Sequence, residues 1–243
     1  MIKNQLISSN LIRKFGNRTV VDDVSFFVNS GEVVGLLGPN GAGKTTSFYM
    51  TVGLLKPSSG NVLIDGNDIT ELPIHKRARM GIGYLPQNSS VFRKLSVEDN
   101  LRAIMEVWGT PRKQRPALLE KLIEQFGIGH IRKSLGISLS GGERRRLEIA
   151  RTLVISPRFL LLDEPFAGID PVTVAEIQEL IKKLVAEENL GVLITDHNVR
   201  ETLSLCGRAY ILAAGQILAQ GLPDDVATNE KVRQVYLGEN FSF

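Results

Sequence analysis

One cysteine, one tryptophan and three histidines are spread over 243 residues, and each scarcity excludes something. The lone Cys206 cannot form an intrachain disulfide and fits a reducing compartment. It lies in the apolar run Leu203-Ser204-Leu205-Cys206, which predicts a packed helical position rather than a catalytic thiol. Long hydrophobic runs are missing too. The longest stretch free of charge, Ala209 to Pro223, contains Gly215, Gln216, Gln220 and Gly221 and falls short of the ~20 apolar residues a spanning helix needs. The start, Met1-Ile2-Lys3-Asn4-Gln5, lacks the apolar core of a secretion signal, so a cytoplasmic protein is expected, with membrane contact only through partners. Nor is there an excess of charge. Lys+Arg is 29 against 26 Asp+Glu, a net of +3, too balanced to indicate a nucleic-acid partner. Internal repeats and low-complexity tracts are absent. At about 150 residues per domain, the length allows one large domain or a domain with a subdomain.

The pattern along the chain is α/β. Residues 1 to about 86 read as short strands with turns, holding one helix. From about Asn88 to Ser156 apolar residues recur at helical spacing, as in Leu101, Ile104, Met105 and Trp108. Ser96 is a fitting cap for a helix from Val97, and Gly109-Thr110-Pro111 breaks it. Strands and helices then alternate again. Phe159–Asp163 and Gly191–Thr195 read as buried strands, Asp170-Pro171 as a helix start, Asp196 as a cap for the next short helix, and Ala214-Gly215 as a hairpin turn. Such alternation implies a mainly parallel sheet. The expected division is a single domain, 1–243, with a core and β subdomain in 1–87 and 157–243 and a helical subdomain in 88–156.

Gly38-Pro39-Asn40-Gly41-Ala42-Gly43-Lys44-Thr45 fits the phosphate-loop pattern G-x-x-x-x-G-K-[ST] in full, between an apolar strand and a helix start. Its glycines let backbone N–H groups turn toward a phosphate. Lys44 can reach the β- and γ-phosphates, Thr45 offers a hydroxyl to Mg²⁺, and Thr46 adds a polar group where the helix dipole favours anions. Leu160-Leu161-Leu162-Asp163-Glu164 supplies the complement. Asp163, at the end of a buried strand, can hold Mg²⁺ through water, and Glu164 can orient or deprotonate an attacking water. Leu139-Ser140-Gly141-Gly142-Glu143 has two compatible readings, a capping box and a second phosphate-binding helix start. Phe92, in the polar loop Asn88–Leu95, is a candidate anchor for a partner helix, with Arg93 at its rim and Leu95 closing the run. Arg144-Arg145-Arg146 reads as a solvated or interface face, since successive helical residues point apart.

In this order, phosphate loop, Gln87, Leu139–Glu143, Leu162-Asp163-Glu164 and His197, the motifs resemble those of the ATP-binding cassette (ABC) ATPases over essentially the whole chain. The resemblance implies an ABC-type fold, with a mixed, mainly parallel sheet core, an antiparallel β subdomain and a helical subdomain. It implies that Gln87 contacts Mg²⁺ or the attacking water, that His197 contacts the γ-phosphate, that Ala167–Asp170 touches a second subunit, and that Phe15 stacks on adenine where tyrosine is usual. It also implies a head-to-tail homodimer, ATP lying between the phosphate loop of one chain and Ser140-Gly141-Gly142 of the other. Two integral-membrane subunits would dock near Phe92. Among family members the stretches Leu36–Met50, Ser138–Arg146, Ile194–Thr202 and Tyr236–Phe241 are most similar to the ATPases of lipopolysaccharide export. ATPases of branched-chain amino acid importers and cassette proteins uncoupled from transport are the alternatives. The aromatic Tyr236–Phe243 segment is expected to pack on the dimer.

Overall fold

The computed structural model describes residues 4–238 and 241. Strands β1 (Gln5–Phe15) and β2 (Arg18–Asn29) form a hairpin, and β3 (Val33–Leu37) leads through the phosphate loop into α1 (Lys44–Val52). After β4 (Ser59–Ile64) and β5 (Asn67–Asp68) come α2 (Ile74–Arg79) and β6 (Ile82–Leu85). The helices α3 (Val97–Trp108), α4 (Arg115–Gln125) and α5 (Gly141–Leu153) follow without an intervening strand. The chain then alternates through β7 (Phe159–Asp163), α6 (Pro171–Glu188), β8 (Gly191–Thr195), α7 (Val199–Leu205), β9 (Arg208–Ala213), β10 (Gln216–Gly221) and α8 (Pro223–Thr228). A helical turn over Arg233–Leu237 ends the regular structure.

The described strands make two sheets. One has the order β2-β1-β4-β5 and is antiparallel throughout. The other has the order β10-β9-β3-β8-β7-β6 and is parallel except for β10. The fold is thus α/β with mixed sheets. Its central strands β3, β7 and β8 are buried along their whole length, as a parallel sheet covered on both faces requires. Their side chains alternate between two cores. Leu160, Leu162, Val192 and Ile194 face the core beneath α3–α6, whereas Phe159, Leu161 and Leu193 face the one shared with α1 and the antiparallel sheet. The carboxyl ends of β3, β7 and β8 therefore meet at one edge, with Asp163 paired to Thr195.

Local signals set several helix ends as expected. Ser96 Oγ accepts the Asp99 N–H, Gly109 ends α3 with φ of 84°, and Asp170 caps α6 with Pro171 in its first turn. Three expectations need correction. The first 86 residues hold two helices, not one, because α2 forms around the buried Arg77 rather than an apolar stripe. β1 and β2, with 11 and 12 residues, are longer than the short strands expected. Asp196 does not cap α7, whose first turn follows Asn198; its carboxylate instead accepts the N–H groups of Phe166 at 3.0 Å and Asn198 at 2.8 Å, tying two loops together. Cys206 is buried at the end of α7, where burial pushes its thiol pKa up and keeps it un-ionised. Of the terminal segment, Tyr236 and Phe241 pack on a cluster with Leu203, Ile211 and Val232 of the same chain. Glu239, Asn240, Ser242 and Phe243 lie outside the described residues.

Candidate nucleotide site

The loop after β3 has a shape that side chains would block. A Cβ at Gly38, with φ of 145°, would stand 2.1 Å from the Leu212 carbonyl oxygen, and one at Gly43, with φ of 98°, would stand 2.9 Å from that of Val20. Lys44 is buried, and its Nζ donates to the carbonyls of Gly38 at 2.7 Å and Pro39 at 3.0 Å, so the loop curls around its own ammonium. Burial lowers the pKa of Lys44, and the nearby Glu164 carboxylate offsets part of that. The loop residues from Asn40 through Thr46 line an open depression together with Arg18, Glu164 and His197. Phe15 pairs with Arg18 across the hairpin and is exposed rather than part of the core. The Arg13 guanidinium lies 4.6 Å from the centre of its ring.

Glu164 follows β7 in the left-handed region, with φ of 48°, a conformation uncommon for a side chain other than glycine. Its own N–H donates to the Thr195 carbonyl at 2.7 Å, which holds that turn against the end of β8. The carboxylate is nearly buried and both oxygens are engaged. Gln87 Nε2 donates to Oε2 at 2.6 Å, and His197 Nε2 lies 2.7 Å from Oε1. Two residues far apart in the chain, Gln87 and His197, thus converge on one carboxylate beside the phosphate loop.

Asp163 is almost fully buried. Its Oδ1 accepts the Thr195 hydroxyl at 2.9 Å, while Oδ2 is buried with no hydrogen-bond partner. Burial raises the pKa of Tyr49, and the charge of Asp163 adds to it. An unpaired buried carboxylate oxygen costs free energy unless a further group satisfies it. Thr45 and this oxygen are the kind of oxygen donors that a hard divalent cation takes.

Ser140 and Glu143 form a reciprocal capping box at the start of α5. The Glu143 carboxylate accepts the Ser140 N–H at 2.8 Å, and Ser140 Oγ accepts the Glu143 N–H. Those bonds, with His130 nearby, hold the Glu143 carboxyl below the usual range. Ser140, Gly142 and Glu143 line a different depression, with Thr173 and Glu176, and Gly141 opens the same helix. Within one chain the glycine-rich start of α5 and the phosphate loop therefore do not share a pocket. Phe92, Arg93 and Leu95 are likewise apart from the loop. Phe92 and Leu95 are exposed, with the Arg151 guanidinium 4.5 Å over the Phe92 ring, and Arg93 lines a hollow with Val91, Gly136 and Arg144.

Sequence reading missed several residues here. Asn100 accepts the Phe92 N–H at 2.8 Å and donates back to its carbonyl at 3.1 Å, fixing the exposed ring's loop. Arg145 is buried, not on a solvated face, and donates to the backbone carbonyls of Pro165 and Glu164, each at 2.8 Å. Arg146 pairs with Glu176, and Arg144 donates to the Leu139 carbonyl. The only signal in the sequence was the 100° step along α5, which turns one of three adjacent arginines inward.

Comparison with known proteins decides the family. Residues 21–167 match the family described as ABC transporter. The chain is 57% identical over 238 residues to the lipopolysaccharide export system ATP-binding protein LptB of Haemophilus influenzae, covering 97% of this chain and 98% of that protein. This chain belongs to the ATP-binding subunits of ABC transporters. It is 56% identical over 237 residues to LptB of Escherichia coli strain K12, again over 97% of this chain and 98% of the relative. Residues 216–242 also match a family described as branched-chain amino acid ATP-binding cassette transporter. Among solved structures, an ATP-binding cassette of an ABC transporter in its ADP conformation superposes with a TM-score of 0.87 at 29% identity, covering 97% of this chain and 99% of that one. The cassette cbiO1 of Clostridium perfringens, part of the cbiONQ transporter, gives 0.84 at 29% identity over 98% and 96% of the two chains. As an ABC ATPase, the chain binds nucleotide and couples ATP hydrolysis to transport. No helix among its described residues is long and apolar enough to cross a membrane.

Proposed function

We propose that this ABC ATPase powers the extraction of lipopolysaccharide from the inner membrane toward the outer membrane, as a homodimer on the cytoplasmic face of two integral-membrane subunits. The full-length similarity to proteins named for lipopolysaccharide export supports the cargo. One observation carries the chemistry: Glu164 is held between Gln87 and His197 at the rim of the phosphate loop.

In this reading the backbone of Gly38 to Gly43 receives the phosphates, with Lys44 supplying positive charge to the β- and γ-phosphates and Thr46 a further donor at the helix start. Phe15 offers an exposed ring face to adenine. Thr45, Asp163 and Gln87 would hold Mg²⁺, with the partnerless Asp163 Oδ2 free to serve it as an oxygen ligand. When bound, that ion neutralises charge on the phosphate oxygens. Glu164 accepts the proton of the attacking water. His197 and Gln87 each contact one of its oxygens, and each would free that oxygen on turning, His197 to the γ-phosphate and Gln87 to the water. A second copy brings Ser140, Gly141, Gly142 and the helix start that Glu143 caps, closing the open side of the depression and excluding solvent. Because the α5 start and the phosphate loop line separate hollows in one chain, a lone copy leaves the site half built and hydrolyses slowly. Phe92, Arg93 and Leu95 form the seat for a coupling helix of the membrane subunits, an exposed apolar patch with a charged rim.

A second reading, the ATPase of a branched-chain amino acid importer, draws on the match over residues 216–242. Capture of the tagged chain from native membranes, with identification of co-purifying subunits and lipids, separates the two. Lipopolysaccharide and its exporter subunits are the expected result, and importer subunits without lipid would overturn it.

A further inference from the structure

Between the exposed Phe92 loop and the Glu164 carboxylate lies a buried ion pair that neither the phosphate loop nor the capping box requires. Arg145 and Glu148, one turn apart on α5, are 5% and 3% exposed, and Arg145 Nη1 lies 3.2 Å from Glu148 Oε2. The guanidinium reaches two loops. Nε donates to the Pro165 carbonyl at 2.8 Å, Nη2 to the Glu164 carbonyl at 2.8 Å, and Nη1 to the Pro86 carbonyl at 3.3 Å. On the other side, Glu148 Oε1 accepts the Ser89 hydroxyl at 2.7 Å and the Ser90 N–H at 3.0 Å. Gln87 therefore sits between two fixed points, Pro86 on Arg145 and Ser89 on Glu148. Its amide meets the carboxylate of Glu164, whose own carbonyl is on the same guanidinium. Arg151, a further turn along α5, donates to the Ser90 carbonyl and covers the Phe92 ring.

A buried ion pair is poor at adding stability, because desolvation offsets most of its attraction, but it fixes geometry. Here the other hydrogen bonds of the pair go to backbone groups and the Ser89 hydroxyl around Gln87 and Glu164. We propose that the Glu148–Arg145 pair positions Gln87 against Glu164. Both are positioning residues. The inference rests on the reading of Gln87 and Glu164 as hydrolytic groups.

The test is steady-state ATP turnover and fluorescent-nucleotide binding on the full chain, with Glu148→Gln, Gln87→Ala and their double variant. Glutamine has one carbonyl oxygen, which cannot serve both Arg145 and the Ser89–Ser90 pair. Glu148→Gln is expected to lower kcat about tenfold with nucleotide affinity unchanged within about twofold, the pattern of misplaced groups rather than lost binding. Added to Gln87→Ala, it should cost nothing further, because the two act on one step. Losses that multiply in the double variant, parallel falls in affinity and kcat, or undiminished turnover in Glu148→Gln would each overturn the proposal. If Glu148→Gln does not fold, Ser89→Ala removes one contact of the same carboxylate. It should lower kcat about two- to threefold, again without multiplying with Gln87→Ala, and undiminished kcat would overturn the proposal. Full turnover in Gln87→Ala would sink the site reading itself, whereas a crippled Gln87→Ala beside an unaffected Glu148→Gln sinks only the positioning role.

Discussion

Replacing Arg77 by leucine should cost about 3–5 kcal/mol of stability, although Arg77 does not line the phosphate-loop depression. The side chain is 1% exposed and makes four hydrogen bonds, all to backbone carbonyls and all of 2.8 Å: Nε to Leu72, Nη1 to Met50 and Thr51, and Nη2 to Thr70. A bond from a charged donor contributes about 1.5–3 kcal/mol, which gives a ceiling of roughly 6–12 for four. Against that stands desolvation. Burial pulls the guanidinium pKa well below its ordinary value, to about 10, only partly offset by Asp68 and Glu71. The remainder is several kcal/mol, and leucine would leave four acceptors without a donor.

The position explains why this reaches the nucleotide site. Met50 and Thr51 lie in the last turn of α1, so Arg77 places a positive charge at the negative end of the helix that begins at Lys44. A Cβ at Gly53 would stand 2.6 Å from Arg77 Nε, so the side chain packs directly against the end of α1. Urea unfolding followed by the fluorescence of Trp108 suits the measurement, because Arg79 of α2 lies 5.1 Å from the centre of that ring. Arg77→Lys should recover little, since one ammonium cannot match a fork aimed at four carbonyls. A loss below about 1 kcal/mol for Arg77→Leu would refute the reasoning, because a satisfied buried network cannot be removed that cheaply.

Three further outcomes follow from the same geometry. Glu164→Gln should retain ATP, lower turnover about 10²–10⁴-fold and accumulate closed dimer on a sizing column with nucleotide; rapid turnover would remove Glu164 from the role of base. Phe92→Ala should melt within a few degrees of the parent, because the ring is exposed, yet lose association with membrane subunits in pull-down; an intact complex would place the docking seat elsewhere. Hydrogen bonds from Lys133 and Arg132 hold the Glu98 carboxyl at about 2, below its ordinary 4.5, so the folded state binds its proton less readily than the unfolded one. That stabilisation is fully present above pH 4.5 and is lost as the pH falls toward 2; Glu98→Gln should flatten the stability profile in this window, and an unaltered profile would contradict the pairing.

What the sequence made legible was contiguous. The phosphate loop, the Ser140–Glu143 capping box and the Asp170-Pro171 helix start each occupy a few adjacent residues, and each forms in the structure by bonds between neighbours. What it hid was long in range or opposite in polarity to expectation. Gln87 and Glu164 are 77 residues apart and meet only because β6 and β7 are adjacent strands. The helix α2 escaped because its one buried residue is an arginine, so no apolar period announces it. Arg145 escaped for the same reason. Both arginines are buried, and backbone carbonyls satisfy most of their donors. Hydrophobic patterning finds surfaces that avoid water, whereas these side chains are inside because carbonyls at loop and helix ends lack donors. In this cassette such carbonyls occur where α1 ends and where the chain turns after β7. The charged residues that a pattern assigns to solvent are therefore the ones that fix its loops.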